Sequence, residues 1–192
     1  MADLLHRPGP GPHRMSIIVA GAPVETLADL PPLRGGLLFV GLNPSPVSVA
    51  AGHYQQGTLG RTFWRRLTRA GIIPDVPPIE ADDALLAAGH GITDLLKIPT
   101  PRDVATDAEL AAGVGPLWQK VAIWRPAAVV FVYKRGASIV AGRPLAEPWG
   151  TLSGVAIAGR PCVLMPGPYA PVEQVDEGIN LLRNLGSALT PG

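Results

Sequence analysis

Residues 37–42, Leu-Leu-Phe-Val-Gly-Leu, are apolar without interruption and give way at once to Asn43-Pro44-Ser45-Pro46. A run apolar on both faces suits a strand buried inside a parallel sheet, and the pattern predicts a strand over residues 36–40. Its abrupt end delivers Asn43 to the rim of that sheet, stiffened by two prolines. In open α/β sheets, ligands bind in the crevice beyond the carboxyl ends of the strands, which makes Asn43 a candidate working group. A plain Asn-Pro turn is the competing reading.

The same alternation of patterns continues along the chain. Residues 16–20 read as a short strand or as part of an N-terminal extension. Residues 58–70 read as a helix stopped at Gly71, with Phe63, Leu67 and Ala70 on one face and Arg61, Arg65 and Arg69 on the other. A helix over 80–88 stops at Gly89, and residues 91–96 form a short strand that drops Asp94 near its end. Residues 106–124 carry Leu110, Val114, Leu117, Val121 and Trp124 at helical spacing, loosened by Gly113, Gly115 and Pro116. Trp118 and Trp124 read as core or helix-packing residues. The β-branched run 127–132 predicts a central parallel strand, 134–141 a short helix, and 152–158 with 161–164 two strands meeting at Gly159-Arg160. A last helix turns Val172, Val175, Ile179 and Leu182 inward. Strands alternating with helices imply a three-layer α/β/α domain with a mainly parallel central sheet.

Composition narrows the class. The 192 residues are 47% hydrophobic and 16% charged, enough for one domain with a substantial core. Residues 1–26 are expected to be a flexible N-terminal extension and 27–192 a single domain. The lone Cys162 excludes an intrachain disulfide and a four-cysteine cluster, and a reducing, cytoplasmic setting is expected. No apolar stretch reaches membrane-spanning length, and the Pro/Gly-rich segment before Arg14 lacks an apolar signal core. A net charge of +1 argues against a strongly electrostatic nucleic-acid binder. Yet Arg34, Arg61, Arg65, Arg66 and Arg69 lie between Asp29 and Asp75 with no carboxylate among them, a local positive field. Like charges at i,i+4 cost a few tenths of a kcal/mol per pair, which a polyanion would offset. A solvated arginine face is the alternative.

Several chemistries are excluded by their missing motifs. There is no phosphate loop G-x-x-x-x-G-K-[ST], no G-x-G-x-x-G after the first strand and no G-x-S-x-G elbow. His6 and His13 fall in the tail and His53 and His90 stand apart in sequence, so no metal site and no cofactor are expected. What remains is Asn43, Asp94, the loop Gly52-His53-Tyr54-Gln55-Gln56-Gly57, the arginine face and a Pro/Gly-stiffened loop around Tyr169. These suit a site that takes a base out of DNA: an aromatic to stack on it, amides to read its edge, rigid loops to prop the duplex and arginines for phosphates.

Gly41-Leu42-Asn43-Pro44-Ser45, Gly60-Arg61-Thr62-Phe63-Trp64, Gly91-Ile92-Thr93-Asp94-Leu95 and Met165-Pro166-Gly167-Pro168-Tyr169-Ala170 occur in this order. The set, spread over residues 27–185, resembles the mismatch-specific uracil/thymine-DNA glycosylases of the Mug type within the uracil-DNA glycosylase superfamily. That resemblance implies an α/β/α fold and monofunctional hydrolysis of the N-glycosidic bond of uracil opposite guanine in duplex DNA, leaving thymine and damaged pyrimidines open as further substrates. It implies that Asn43 positions the attacking water, that Leu42 and Ser45 lie around the pyrimidine, and that Tyr54 corresponds to the stacking aromatic. An amide can orient water but is no strong base. Asp94 stands where relatives often carry lysine or asparagine. A carboxylate there could activate water or stabilise an oxocarbenium-like sugar, and a buried aspartate capping local backbone is the alternative.

The resemblance places Gly167, Tyr169 and Ala170 in the loop that fills the gap left by an extruded nucleotide, although Pro171 replaces the arginine that often follows the alanine. Arg61, Arg65 and Arg69 are the expected phosphate contacts. Double-stranded DNA is the expected partner, the protein a monomer. Two other classes are consistent with the residues: a non-catalytic damaged-DNA-binding module, and a hydrolase of free nucleosides on the same scaffold.

Overall fold

The computed structural model describes residues 6–101 and 104–187. Its frame is a five-stranded sheet of β3 (Leu37–Gly41), β4 (Gly91–Asp94), β5 (Ala128–Phe131), β6 (Gly150–Ile157) and β7 (Arg160–Leu164) in the order β4-β3-β5-β7-β6. Every pairing is parallel except β6 with β7. Alternate residues of the central strands feed two cores, because side chains on a strand point to opposite faces. Leu37, Phe39, Ala128 and Val130 join one cluster, and Leu38, Val40, Val129 and Phe131 the other. Residues of α1 (Pro46–Ala51), α2 (Thr58–Ala70), α3 (Ala81–Ala87) and α7 (Val172–Ser187) pack into the first. Those of α4 (Asp107–Ala112), α5 (Val114–Trp124) and α6 (Lys134–Ala141) pack into the second, completing three layers.

Four local readings differ from this arrangement. The helix expected over 106–124 is two helices, α4 and α5, divided at Gly113. A Cβ there would lie 1.9 Å from the Leu95 carbonyl oxygen, so the backbones meet where only glycine fits. Trp118 is 53% exposed, whereas Trp124 is buried as expected. The β6–β7 turn is centred on Ala158 and Gly159, both at positive φ, one residue earlier than the Gly159-Arg160 turn read from the pattern. Finally, the segment read as an extension contains an antiparallel hairpin of β1 (Arg14–Val19) and β2 (Ala22–Leu27).

The residues before that hairpin are also tied to the domain. Arg7 donates to the carbonyls of Pro31 at 2.6 Å and Leu86 at 2.5 Å, and His13 is buried with its Nε2 2.8 Å from Asp83 Oδ1. His13 is therefore not a tail residue, nor do the other two described loop histidines stand alone. His53 pairs with Asp82 at 2.8 Å, and His90 Nδ1 accepts from the Leu37 amide at 3.1 Å. Among the described residues no helix is long and apolar enough to cross a membrane.

Candidate active site

Parallel pairing of β3 and β4 puts their carboxyl ends side by side, with Gly41 in register with Asp94. A Cβ on Gly41 would come within 2.1 Å of Asp94 Oδ1. The glycine in the strand thus makes room for the carboxylate. The chain after β3 turns through Asn43 into α1, whose N-cap is Ser45: its hydroxyl accepts from the Ser48 amide at 3.2 Å, and Pro46 suits the first helical turn. The loop after α1 carries Tyr54 and Gln55 over the same rim and leads into α2.

These elements enclose a cavity of about 560 Å³, inside the size range of small-molecule sites. Asn43, Asp94, Leu42, Ser45 and Tyr54 all line it, so the structure brings the five expected catalytic and base-binding residues together. Pro168 from the second stiff loop completes the wall, joined by Gln55, from the loop whose amides were expected to read a base, and by Thr100 and Tyr133, which the sequence reading did not single out as site residues. Tyr133 follows the end of β5, a place the strand-end rule marks. Thr100 carried no comparable signal.

Asn43 is held by its amide nitrogen. Nδ2 donates to Thr100 Oγ1 at 2.7 Å and to the Pro44 carbonyl at 3.3 Å, so Oδ1 is the end suited to accept a hydrogen bond from a ligand or water. Asp94 is 3% exposed and its Oδ2 has no hydrogen-bond partner among the described residues. Burial pushes its pKa up to about 7; Lys97 opposes this, Asp29 adds to it and Lys120 opposes it. A carboxyl group poised there exchanges a proton near neutrality. This environment is unlike that of a capping aspartate, whose oxygens would be met by backbone N–H groups.

Beneath the cavity lies a buried charge network with no local signal in the sequence. Asp29 bonds Lys97 and Lys120, each at 2.7 Å, and accepts from Thr93 Oγ1 at 2.5 Å. Burial alone would raise the pKa of Asp29, but the two ammonium groups override it and hold the carboxyl well below its ordinary value. Lys97 also donates to Tyr54 Oη at 3.0 Å, while that hydroxyl donates to the Ala28 carbonyl at 2.8 Å. Tyr54 is 1% exposed, clamped at both ends: its amide donates to Asp82 Oδ2 at 2.8 Å and its carbonyl accepts from Trp64 Nε1 at 3.2 Å.

His13, His53, Asp82 and Asp83 bring one ligand-type atom each within 4.8 Å of one another. The cluster is closed by its own hydrogen bonds, His13 to Asp83 and His53 to Asp82, with the Gly11 and Tyr54 amides donating to the carboxylates. It clamps the N-terminal segment to the loop that carries Tyr54.

The expected DNA-contacting residues lie outside the cavity wall. Arg61 and Arg65 are exposed on α2, whose first turn lines the cavity. Arg69 is exposed too, with its guanidinium 2.6 Å from Asp176 on α7. Arg66, on the same helix, is buried and donates to the carbonyls of Pro166 at 2.6 Å and Gly167 at 3.0 Å, which fixes the second stiff loop. In that loop Tyr169 is 88% exposed, Gly167 and Ala170 half-buried.

The family model described as Uracil DNA glycosylase superfamily matches residues 28–168. No curated protein matches the chain. The matched span begins just after β2 and ends on Pro168 in the cavity wall, so it covers the sheet rim and every residue named above as lining the site. With a three-layer α/β/α fold and a cavity at the carboxyl ends of its parallel strands, this chain belongs to the uracil-DNA glycosylase superfamily, whose members are DNA glycosylases acting on uracil-type lesions.

Proposed function

We propose that this protein flips uracil from G·U and related mismatches in duplex DNA and hydrolyses the N-glycosidic bond as a monofunctional glycosylase of the Mug type. The observation that carries this reading is the meeting of Asn43 and Asp94 in one cavity, the second with a buried carboxylate oxygen that has no hydrogen-bond partner among the described residues. In the proposed reaction Asn43 Oδ1 accepts a hydrogen bond from the attacking water and Asp94 takes its proton. The water oxygen bonds to C1′ as the C1′–N1 bond breaks, and the electron pair leaves with the base as an N1 anion. The ionised Asp94 also stabilises the cationic sugar that develops on the way.

The first turn of α2 supports departure of that anion. Thr58, Leu59 and Gly60 line the cavity, no side chain caps the helix, and no acidic residue lies in its first turn. Its first N–H groups, which have no partner within the helix, and its positive dipole end therefore favour negative charge. Arg61 and Arg65 are the proposed phosphate contacts, with Arg69 at the margin because of its pairing with Asp176. Tyr169, beside Pro168 of the cavity wall, is the proposed filler of the gap left in the duplex, flanked by Gly167 and Ala170.

The test is single-turnover release of uracil from labelled G·U duplex, with free deoxyuridine as the parallel substrate. Wild type should release uracil from the duplex alone. Asn43→Ala and Asp94→Asn should each slow release by roughly a hundredfold or more while leaving duplex affinity within about twofold. Duplex binding without any base release would identify a damage-binding module instead, and release from deoxyuridine alone a nucleoside hydrolase.

A further inference from the structure

We propose that Lys97, braced by Asp29 and Lys120, is a positioning residue that brings a surplus positive charge beneath the cavity, so that Asp94 is ionised in time to take the proton of the attacking water. This rests on the glycosylase reading given above. The ammonium groups of Lys97 and Lys120 converge on the single carboxylate of Asp29, each at 2.7 Å. Two positive charges on one negative leave one in excess. Asp94, whose Oδ2 has no hydrogen-bond partner among the described residues, is the carboxyl that can balance it. Once ionised, it brings the group to two charges of each sign.

The chain fixes where that surplus sits. After β4 the ladder to β3 runs on, with the Leu95 amide donating to the Gly41 carbonyl at 3.1 Å and the Leu96 amide to the Leu42 carbonyl at 2.8 Å. The next carbonyl, that of Lys97, accepts from the hydroxyl of buried Thr26 on β2 at 2.6 Å. From that anchored backbone the ammonium reaches both Asp29 and, at 3.0 Å, Tyr54 Oη. A free lysine stem carries its charge out to water, whereas this one is held at both ends. Lys120 arrives from α5, is buried, and donates at 3.1 Å to Oγ1 of Thr93, the residue before Asp94 on β4. The charge is thus tied to the chain on both sides of Asp94.

The charged and titratable groups around Asp94 are Lys97 after β4, Asp29 between β2 and β3, Lys120 on α5, and Tyr54 and Tyr133 on the loops that wall the cavity. Burial, with Asp94, Asp29 and Asp82 adding to it, holds the Tyr54 hydroxyl well above its usual range, so it stays a neutral acceptor for Lys97. Burial lowers the pKa of Lys120 and Asp29 opposes that loss. Lys97 is the largest influence on Asp94 after burial itself, and it favours the ionised form. Taking three ions out of water seldom stabilises a fold more than hydrocarbon of the same volume does. A charge kept at that cost beneath a cavity points to work done in the cavity.

Two pH titrations test this. One follows single-turnover uracil release from G·U duplex; the other follows the Asp94 carboxyl in free protein by carbon-13 NMR with labelled aspartate, its resonance identified by loss in Asp94→Asn. In the wild type both should turn at about 7. Lys97→Met leaves the Asp29–Lys120 pair and the Tyr54–Ala28 hydrogen bond in place. It should move both midpoints up by about one pH unit, making release about fivefold slower at pH 7 and near the wild-type rate by pH 9. Lys120→Met, whose charge reaches Asp94 less directly, should move them the same way by less. Lys97→Arg restores the charge and should hold the midpoints within about 0.3 unit of the wild type. A carboxyl midpoint unmoved in Lys97→Met, or release slowed by one factor at every pH, would make Lys97 merely structural and overturn the inference while leaving the glycosylase reading intact. Absence of uracil release by the wild type would overturn both.

Discussion

Replacing Asp94 by asparagine should stabilise the protein in alkaline solution and disable it as an enzyme. Its carboxyl has an ordinary pKa of 3.8 when exposed and about 7 in the fold, where burial is the dominant cause. The raised folded value sets the sign: stability from this group is fully present below pH 4, declines as the unfolded chain ionises, and is lost by the time pH passes 7. The difference of about 3 in pKa corresponds to about 4 kcal/mol, an upper magnitude for the cost of ionising this buried carboxyl. Asp94→Asn keeps the shape and removes the charge. Thermal unfolding of both proteins at pH 5 and pH 8 should give the variant a small midpoint advantage at pH 5, where the unfolded chain has already ionised, and a larger one at pH 8, on the order of 10 °C for a chain of this size. Single-turnover cleavage by the wild type should rise with pH and level above about 7, whereas residual cleavage by the variant should be flat across the same range. A midpoint difference identical at the two pH values would mean that Asp94 is not protonated preferentially in the folded state.

Three further outcomes follow from named contacts. Thr100→Val removes the shortest of the Asn43 amide's hydrogen bonds, and single-turnover cleavage should fall about tenfold with affinity for non-cleavable duplex unchanged; Thr100→Ser should restore it. Arg66→Ala unlatches the loop held through Pro166 and Gly167 and should lower stability by roughly 2–4 kcal/mol in urea unfolding, with a weaker grip on duplex DNA; unchanged stability would show that the two carbonyl bonds contribute nothing net. Arg65→Ala should weaken duplex binding and reduce the slope of log affinity against log salt by about 1, whereas an unchanged slope would leave Arg65 as solvated surface.

Local pattern was sufficient for the class of frame because its central strands are short and apolar on both faces, whereas the order of the strands came only with the fold. The run from Leu37 to Leu42 and its halt at Asn43 announced both the buried strand β3 and the rim residue at its end. The amphipathic period of α2 separated Phe63 and Leu67 from Arg61 and Arg65 without any tertiary information. Motif spacing did as much for the site: five of its expected residues meet in one cavity.

What tertiary structure decided concerns polar groups, because their state depends on neighbours far away in the chain. The helical period sets Arg66, three residues after Phe63, off the face of Arg61, Arg65 and Arg69, but the carbonyls that receive its buried guanidinium lie a hundred residues on. His13 reads as a tail residue until Asp83 is brought against it, and Trp118 as core until α5 packs through Leu117, Val121 and Trp124 and leaves it exposed. Asp94 could be read from the sequence as a candidate, but its poise could not. That follows from Gly41 across the strand, Asp29 and two lysines below, and the absence of a partner for Oδ2 among the described residues, a set assembled only when β3 and β4 lie in register. Hydrophobic periodicity is written in consecutive residues, whereas the dielectric surroundings of a carboxylate are set by the whole packed domain.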